Sequence, residues 1–372
     1  NRKTYTLSVW VKLGSQFDQY RAIFGAGGGS TRDRLQLFNN QQLAFNINDG
    51  TDGSLATNRL FRDPTAWYHI VAMLDTTQAT NTNRMKLYVN GTEQTYSATT
   101  YPDEDYEGRI GTNIEHFIGN ASSDALYFDG YLAEFNYTDG VANTPSAFGE
   151  TKNGVWIPKA YTGSYGQNGF RMKFDQVGVG TAGTTTIGAD TSGLTNHLTS
   201  TNIVASDCAM PDSPENNFAT MNPLNKSTSM PHFSEGNLKL APNAGNYNMA
   251  FSNMGVSFGK FYYEFGITGA TNSADIHGII DLSGIDYSNT NTTSVATKGY
   301  AYYALNGNKI GIGSQTSFGA SYGNGDIISV ALDMDAGKVW FAKNNTYQAS
   351  GDPAGGANEA FSGLSGTYFA GA

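Results

Sequence analysis

The chain has 372 residues, a formal net charge of −10 at pH 7 and one cysteine. This length suits two domains of average size. An acidic chain repels phosphate backbones, so we expect no nucleic-acid partner. The sequence has no apolar run of the roughly 18 residues that a membrane helix needs, so we expect no membrane insertion. A single cysteine excludes an intrachain disulfide framework.

The first 150 residues alternate between apolar and polar side chains in short segments separated by turn residues. Tyr5 to Leu13 alternates cleanly, which predicts a strand with one buried face. Asn90-Gly91 predicts a tight hairpin. We predict strands at 5–13, 20–25, 35–38, 43–48, 67–75, 85–90, 92–96, 117–119 and 128–137. No segment sustains a helical period, so an all-β sandwich follows.

Residues 150–237 are less regular. Gly169 to Asp175 predicts one more strand, and we expect 150–205 to supply closing strands and loops to the first sandwich. Asp212 to Pro223 contains two prolines and several turn formers, so 206–237 is predicted to be an irregular linker. Strands resume after Leu238, at 239–240, 260–268, 277–282, 300–305, 309–313, 327–333 and 338–343.

The first half resembles a laminin-G-like, concanavalin A-type jelly roll. The resemblance is carried by 5–12, by Trp67-Tyr-His-Ile-Val71, by Met85 to Gly91, by 118–119 and by 128–135. Asp190 to Thr199 is similar to the Asp-x-Ser-Gly-x-x-Asn-x-Leu opening of related jelly rolls. The resemblance implies a first domain at 1–205, with its core at 1–150.

The second half resembles a SPRY domain, a recognition module built as a bent β-sandwich. Gly259-Lys-Phe-Tyr-Tyr-Glu-Phe265 is similar to its opening strand, and Asp326 to Asn345 to its signature hairpin. The resemblance implies a second domain at 238–372. We expect this domain to lack its last strands, and we infer that both chain ends continue in a longer protein.

The connector at 212–223 resembles the one between such modules in tail proteins of marine bacteriophages. That resemblance implies a non-enzymatic recognition and scaffold part of a phage tail fibre or other virion appendage. Its partners would be a host-surface glycan or protein and other virion proteins, and we expect a homo-oligomer. A secreted bacterial carbohydrate-binding adhesin and a purely structural virion protein stay open as alternatives.

Catalytic constellations are weak in this sequence. Glycoside hydrolases place two carboxylates on either side of the scissile bond, whereas Glu134 and Glu264 stand singly on their predicted strands. A hydrolase is therefore the least favoured alternative, and we predict no catalytic residue. No histidine has zinc-ligand spacing. His69 is predicted to be a packed core residue.

Two kinds of binding residue are candidates. Oxygen-rich loops suit calcium, which makes that ion a candidate cofactor, and solvated turns are the alternative. The residues concerned are Asp49, Asp52, Asp103 and Asp105.

Loop tyrosines offer flat faces on which sugar rings can stack, although they also cover strand ends. These are Tyr101, Tyr106, Tyr287 and Tyr322.

Overall fold

A computed structural model describes residues 1–14, 19–29, 31–122, 126–227, 232–241, 248–269, 275–285 and 297–372. It divides into two compact units, Asn1–Phe218 and Ala219–Ala372. Both are built from antiparallel sheets, which confirms the all-β prediction. The sequence-based domain bounds stay predictions. In the part of the chain that the structure describes, no helix has the length and apolar character to cross a membrane.

The described residues of the first unit form two six-stranded sheets and a separate hairpin. Its strands are β1 Thr4–Leu13, β2 Arg21–Gly28, β3 Thr31–Leu37, β4 Gln42–Ile47, β5 Gly53–Leu60, β6 Trp67–Asp75, β7 Met85–Val89, β8 Thr92–Glu93, β9 Tyr96–Thr100, β10 His116–Ile118, β11 Gly130–Asp139, β12 Gly149–Lys152, β13 Val155–Pro158 and β14 Phe170–Met172. Short 3-10 turns cover Asn48–Gly50, Asn81–Asn83, Pro145–Ala147 and Ala205–Asp207.

The two sheets of this unit face each other across one apolar core. One sheet has the order β14-β11-β1-β6-β7-β8, and the other has the order β10-β2-β3-β4-β5-β9. The inward row of β1, from Tyr5 to Leu13, packs into this core with Phe24, Phe45 and Phe135. The period of two therefore locates the inner face of β1 correctly.

The outward row of β1 is buried as well, which corrects the prediction of one buried face. Thr6, Ser8 and Lys12 are all almost fully buried. The chain after β11 covers this row: the Thr6 hydroxyl donates to the Val141 carbonyl at 2.8 Å and accepts from the Asn143 amide at 2.8 Å. The polar side chains of β1 therefore form a second buried face, which the segment after β11 covers.

A buried ion pair lies in the same outer layer. Lys12 Nζ is 2.5 Å from Asp212 Oδ2, and both side chains are at most 6% exposed. Trp67 Nε1 donates to the same oxygen at 3.1 Å, and the Phe218 amide donates to the other oxygen at 3.0 Å. Asp212 thus fixes the segment before Phe218 against the sheet.

The hairpin turn and the later strand predicted for the first unit are present, although two of the predicted strands are shorter in the structure. Asn90 and Gly91 both have positive φ, 47° and 81°, as a tight two-residue hairpin turn requires, and β7 pairs with β8. The predicted partner strand at 92–96 is shorter, because β8 ends at Glu93 and the chain crosses to β9 in the opposite sheet. The strand predicted at 169–175 is present as β14 and pairs with β11.

The motif around Asp190 is a carboxylate-centred turn. The Asp190 carboxylate accepts hydrogen bonds from the backbone amides of Arg171, Ser192 and Asn196 at 2.8–2.9 Å. Asn196 Nδ2 in turn donates to the Gly169 carbonyl at 2.8 Å. The Asp and Asn of the motif therefore hold the loop against β14.

In the second unit, the part of the chain that the structure describes forms one seven-stranded and one five-stranded sheet, plus a two-stranded ribbon. Its strands are β15 Met221–Lys226, β16 His232–Ser234, β17 Lys239–Ala241, β18 Ala250–Val256, β19 Lys260–Gly266, β20 Ile276–Ile280, β21 Gly299–Tyr303, β22 Asn308–Gly311, β23 Ser314–Ser317, β24 Ile327–Asp333, β25 Lys338–Lys343, β26 Thr346–Tyr347, β27 Phe361–Ser362 and β28 Tyr368–Gly371. A 3-10 turn covers Gln348–Ser350.

The signature hairpin, β24 and β25, has the predicted bounds. Phe341 joins the core between the sheets, whereas Trp340 is buried on the other face, where its Nε1 donates to the Ala357 carbonyl at 2.8 Å. The seven-stranded sheet has the order β15-β18-β28-β20-β21-β22-β23. Its first strand, β15, lies within the stretch predicted as a linker and pairs with β18. That stretch is therefore partly regular.

We predict that Asp212→Asn destabilises the chain by roughly 3 kcal/mol or more, because it leaves Lys12 charged in a buried site. The free energy of unfolding in urea measures this. Glu107→Gln is the control, since Glu107 pairs with Arg2 at 2.9 Å in solvent and such pairs contribute about 0–1 kcal/mol. Equal losses in the two variants would contradict the prediction.

Candidate ligand-binding surface

Strand β3 separates apolar and polar side chains between the two faces of its sheet. Leu35 and Leu37 join the core. Arg32, Arg34 and Gln36 have the opposite parity and therefore lie on the outer face. Arg34 is paired with Asn46 of β4, and Asp49 follows in the next turn. We refer to these five residues, Arg32, Arg34, Gln36, Asn46 and Asp49, as the arginine cluster.

The arginine cluster carries excess positive charge. Arg34 Nη2 lies 2.5 Å from Asp49 Oδ1, and Arg32 Nε lies 3.5 Å from the same oxygen. Two guanidinium groups thus face one carboxylate. Burial lowers the pKa of Arg34, against the opposing effect of Asp49, but a guanidinium stays protonated in proteins. The cluster is therefore suited to a further anionic group.

Among the described residues, several buried polar atoms of the arginine cluster have no partner with hydrogen-bond geometry. These atoms are Arg32 Nε, Arg34 Nε, Gln36 Oε1 and both carboxylate oxygens of Asp49, of which Oδ1 is still within ion-pair distance of Arg34. Gln36 is 1% exposed. A buried polar group without a partner costs roughly 1–3 kcal/mol. A ligand that brings both donors and acceptors would remove that cost.

A buried carboxylate beneath the cluster positions its turn. Asp33 points inward from β3 and accepts hydrogen bonds from the backbone amides of Asn48 at 3.0 Å and Arg109 at 2.5 Å. Burial raises the pKa of Asp33, while these amide bonds act in the opposite direction. Asn48 and Asp49 both adopt positive φ, 48° and 54°. This tight turn brings Asp49 back over β3.

The structure brings Asp49, Asp52 and Tyr106 to one end of the first unit. Asp52 Oδ2 accepts from Asn48 Nδ2 at 2.7 Å and from the Tyr106 hydroxyl at 2.8 Å. This second bond joins the turn at 48–53 to the loop at 103–107. Asp105 instead pairs with Lys3 at 3.1 Å.

The calcium hypothesis stays a prediction for Asp49, Asp52, Asp103 and Asp105. Within the described ranges, no group of three or more His, Cys, Asp or Glu side chains is arranged to hold a metal ion. Asp49 has two guanidinium neighbours, Arg32 and Arg34, whose charge opposes a cation at that position. A solvated or ion-paired turn is the simpler description of these loops.

The candidate tyrosines divide by burial. Tyr101 and Tyr106 are half-buried and pack against the core, as residues that cover strand ends do, and their ligand-binding role stays a prediction. Tyr322 is only 8% exposed, and its hydroxyl donates to the Tyr302 carbonyl at 2.7 Å. A ring this deeply buried fits the alternative that loop tyrosines cover strand ends, and the ligand-binding role of Tyr322 stays a prediction. Tyr287 lies outside the described residues.

A serine and a histidine meet on the outer face of β1 without forming a nucleophilic pair. Trp156 Nε1 donates to His69 Nδ1 at 3.0 Å, so the ring proton resides on Nε2 and is donated to Ser8 Oγ at 2.9 Å. A general base needs the opposite arrangement. Burial lowers the pKa of His69 to about 3, and Trp10 stacks on its ring with 4.9 Å between the ring centroids. His69 is thus confirmed as a packed core residue.

The two glutamates considered for glycosidase chemistry have other partners. Glu134 Oε2 accepts from Arg171 Nε at 2.9 Å and lies 2.8 Å from its Nη2. Glu264 Oε1 accepts from the Tyr262 hydroxyl at 2.5 Å. These contacts describe one structural ion pair and one surface hydrogen bond, not a pair of acids that flank a bond.

Two family models match the chain. The model of the concanavalin A-like lectin/glucanases superfamily matches residues 1–146, and the SPRY domain model matches residues 260–367. The order of the two matches is the order predicted from the sequence motifs, which confirms both resemblances. The arginine cluster and its turn lie within the concanavalin A-like match. The resemblance of the connector to phage tail proteins stays a prediction.

Solved structures with similar parts have low overall scores. The SPRY domain of human HERC1 is 22% identical, with a TM-score of 0.29, and covers 35% of this chain and 76% of its own. A putative carbohydrate-binding protein from Bacteroides ovatus is 17% identical, with a TM-score of 0.31, and covers 39% of each chain. Domain 4 of the arabinanase AbnA from Geobacillus stearothermophilus is 23% identical, with a TM-score of 0.28, and covers 39% of this chain and 64% of its own. No curated protein matches the chain.

Sequence reasoning identified Asp49 but missed Arg32, Arg34 and Gln36. Their signal was present, because residues 32, 34 and 36 alternate with Asp33, Leu35 and Leu37. Two arginines at a spacing of two residues on a strand share one face. The pattern was overlooked because the predicted strand began only at Leu35.

We predict that stability falls as the pH drops from about 6.5 toward 3, in part through His69. Its pKa of about 3 in the folded chain lies below the ordinary value of about 6.5, so the unfolded chain binds the proton first. From pH 7 to pH 5 this linkage removes about 2 kcal/mol. Urea unfolding at both pH values measures it. His69→Gln should be less stable at pH 7 but lose less on acidification, and an unchanged pH dependence would refute this assignment.

Proposed function

We propose that this chain is a non-enzymatic recognition module that binds a cell-surface glycan carrying an acidic group, with the arginine cluster as its binding site. The observation that carries this proposal is the set of unpartnered polar atoms beside two arginines on the outer face of the lectin-like sheet. The family models support a binding fold rather than a particular ligand.

The chemistry of the cluster favours a carboxylated or sulfated sugar. Arginine presents a planar fork of donors that matches a carboxylate or sulfate and forms charge-assisted hydrogen bonds. Sugar hydroxyls can accept hydrogen bonds as well as donate them, so they can accept from Arg32 and Arg34, whose side chains are 19% and 12% exposed. A neutral sugar would leave the excess positive charge unpaired.

The cluster suits weak and repeated binding rather than tight enclosure of a ligand. Binding would therefore occur at the partly exposed side chains of Arg32 and Arg34, which are 19% and 12% exposed. Shallow sites gain useful strength when several copies bind one surface.

We also propose that the chain is part of a phage tail fibre or another virion appendage. Its support is the connector at 212–223, which resembles that of phage tail proteins. In that setting the two sandwiches would serve as scaffold and would display the site to a host cell. A secreted bacterial adhesin would use the same surface for the same ligand.

We predict that Arg32→Gln combined with Arg34→Gln weakens binding to acidic glycans at least tenfold, because each charge-assisted hydrogen bond contributes about 1.5–3 kcal/mol. A glycan array with the intact chain identifies the ligand, and calorimetry measures its affinity. The control is Arg62→Gln, which removes one positive charge at an exposed position where Arg62 Nε donates to Gln41 Oε1 at 3.0 Å.

The control variant should bind as the unmodified chain does. Binding that is confined to neutral glycans, or that survives the double substitution, would overturn the assignment of the site. Failure of the intact chain to bind any glycan would overturn the glycan proposal itself.

Immunogold labelling of a culture that produces this chain tests the proposed virion placement. Antibodies against the chain should label appendages of released particles. Label restricted to bacterial cell surfaces or to particle-free medium would overturn the virion placement and favour the adhesin.

A further inference from the structure

Strand β19 lies at one edge of the five-stranded sheet. It pairs with β24 over its whole length, from Lys260 opposite Asp333 to Gly266 opposite Ile327. Among the described residues, no strand pairs with its other side. An open edge of seven residues is a template for pairing with another chain, and proteins usually block such edges with prolines, bulges or short strands.

The residues of β19 that face the open edge can be identified from its bonds to the neighbouring segment. The Gly259 carbonyl accepts from the Met334 amide at 2.9 Å, and the Ile267 amide donates to the Asp326 carbonyl at 2.9 Å. Odd-numbered residues thus bond toward β24. Because bonding direction alternates along a strand, the even-numbered residues direct their amides and carbonyls toward the open edge. These residues are Lys260, Tyr262, Glu264 and Gly266.

Large aromatic side chains are exposed on this strand and directly before it. Tyr262 is 55% and Phe261 is 42% exposed, and Phe258, in the bend before β19, is 77% exposed. No proline interrupts β19. Exposed aromatic rings next to unpaired backbone groups are typical of a surface that another strand covers.

The sequence of β19 is self-complementary in one antiparallel register. Two copies can pair about a two-fold axis only if edge-facing residues meet edge-facing residues, so the axis must pass through a residue and not between two residues. With the axis at Tyr262, Lys260 lies opposite Glu264 of the second copy, and Phe261 lies opposite Tyr263. With the axis at Lys260 or at Glu264, like charges would meet. With the axis at Tyr263, Lys260 would lie opposite a glycine, and with the axis at Phe261 it would lie opposite Tyr262, so neither register pairs the two charges.

We infer that this chain forms a symmetric dimer through β19, in the register that is centred on Tyr262. Three edge-facing pairs would exchange two backbone hydrogen bonds each. The two five-stranded sheets would become one continuous sheet, with an ion pair between Lys260 and Glu264 on either side of the axis. Lys260 Nζ already lies 2.8 Å from Asp333 Oδ2, so in the dimer it would lie between two carboxylates. This inference does not depend on the glycan proposal, because it concerns only the second unit.

Sedimentation velocity of the intact chain over a range of concentrations tests the inference. The unmodified chain should show a reversible monomer–dimer equilibrium. Glu264→Lys alone, or Lys260→Glu alone, should weaken the dimer about 10- to 100-fold, because each variant turns two opposite-charge pairs into like-charge pairs. An equimolar mixture of the two variants should restore dimers, since one variant carries lysine at both positions and the other carries glutamate at both.

Tyr262→Pro is the second variant. It removes an edge-facing amide and leaves the bonds to β24 intact, so the chain should fold, as judged by circular dichroism, and remain monomeric. A monomeric unmodified chain at the highest soluble concentration would overturn the inference. A dimer that survives Tyr262→Pro, or a mixture of charge variants that recovers no dimer, would also overturn it.

Discussion

The alternation of side chains between the two faces of each strand places both proposed surfaces. On β3 the leucines that enter the core force Arg32, Arg34 and Gln36 onto the outer face. On β19 the burial of Tyr263 and Phe265 against the second core has the same effect on Tyr262 and Glu264. A slip of one residue in either strand would exchange the two rows of that strand and abolish its proposed surface. Core packing therefore specifies which side chains of β3 and β19 form the proposed surfaces.

The buried polar groups in the layer over β1 differ from those in the arginine cluster in whether they have hydrogen-bond or ion-pair partners. Lys12 is neutralised by Asp212, and His69 remains neutral between Trp156 and Ser8. These groups are satisfied within the chain, so they stabilise the outer layer over β1. In the arginine cluster, by contrast, Gln36 Oε1 and two guanidinium nitrogens have no hydrogen-bond partner within the described part of the chain. Because natural folds leave few such atoms unsatisfied, their concentration at one place supports the proposed ligand site.

The sequence predicted strands best where alternation was strong and where aliphatic or aromatic residues dominated. β6, β24 and β25 have the predicted bounds. β5 was missed because Gly53 to Leu60 mixes glycine, serine, asparagine and arginine, and its position depends on pairing with β4 and β9. β18 was missed as well, and its position depends on pairing with β15 and β28. The pairing of strands that are distant in sequence cannot be predicted from the residue pattern of one segment alone.

Side-chain environment was harder to predict than strand position, for a related physical reason. Tyr322 lies in a loop, yet a loop that folds over a strand end buries its tyrosine, and the hydroxyl then finds the Tyr302 carbonyl. The polar row of β1 was buried by a segment more than a hundred residues away in sequence. In both cases exposure depends on what covers an element. The outer face of β3 is the converse case: the side chains of Arg32 and Arg34 stay partly exposed, at 19% and 12%. They are therefore close enough to solvent to meet a ligand and confined enough by Asp49 to hold a fixed orientation.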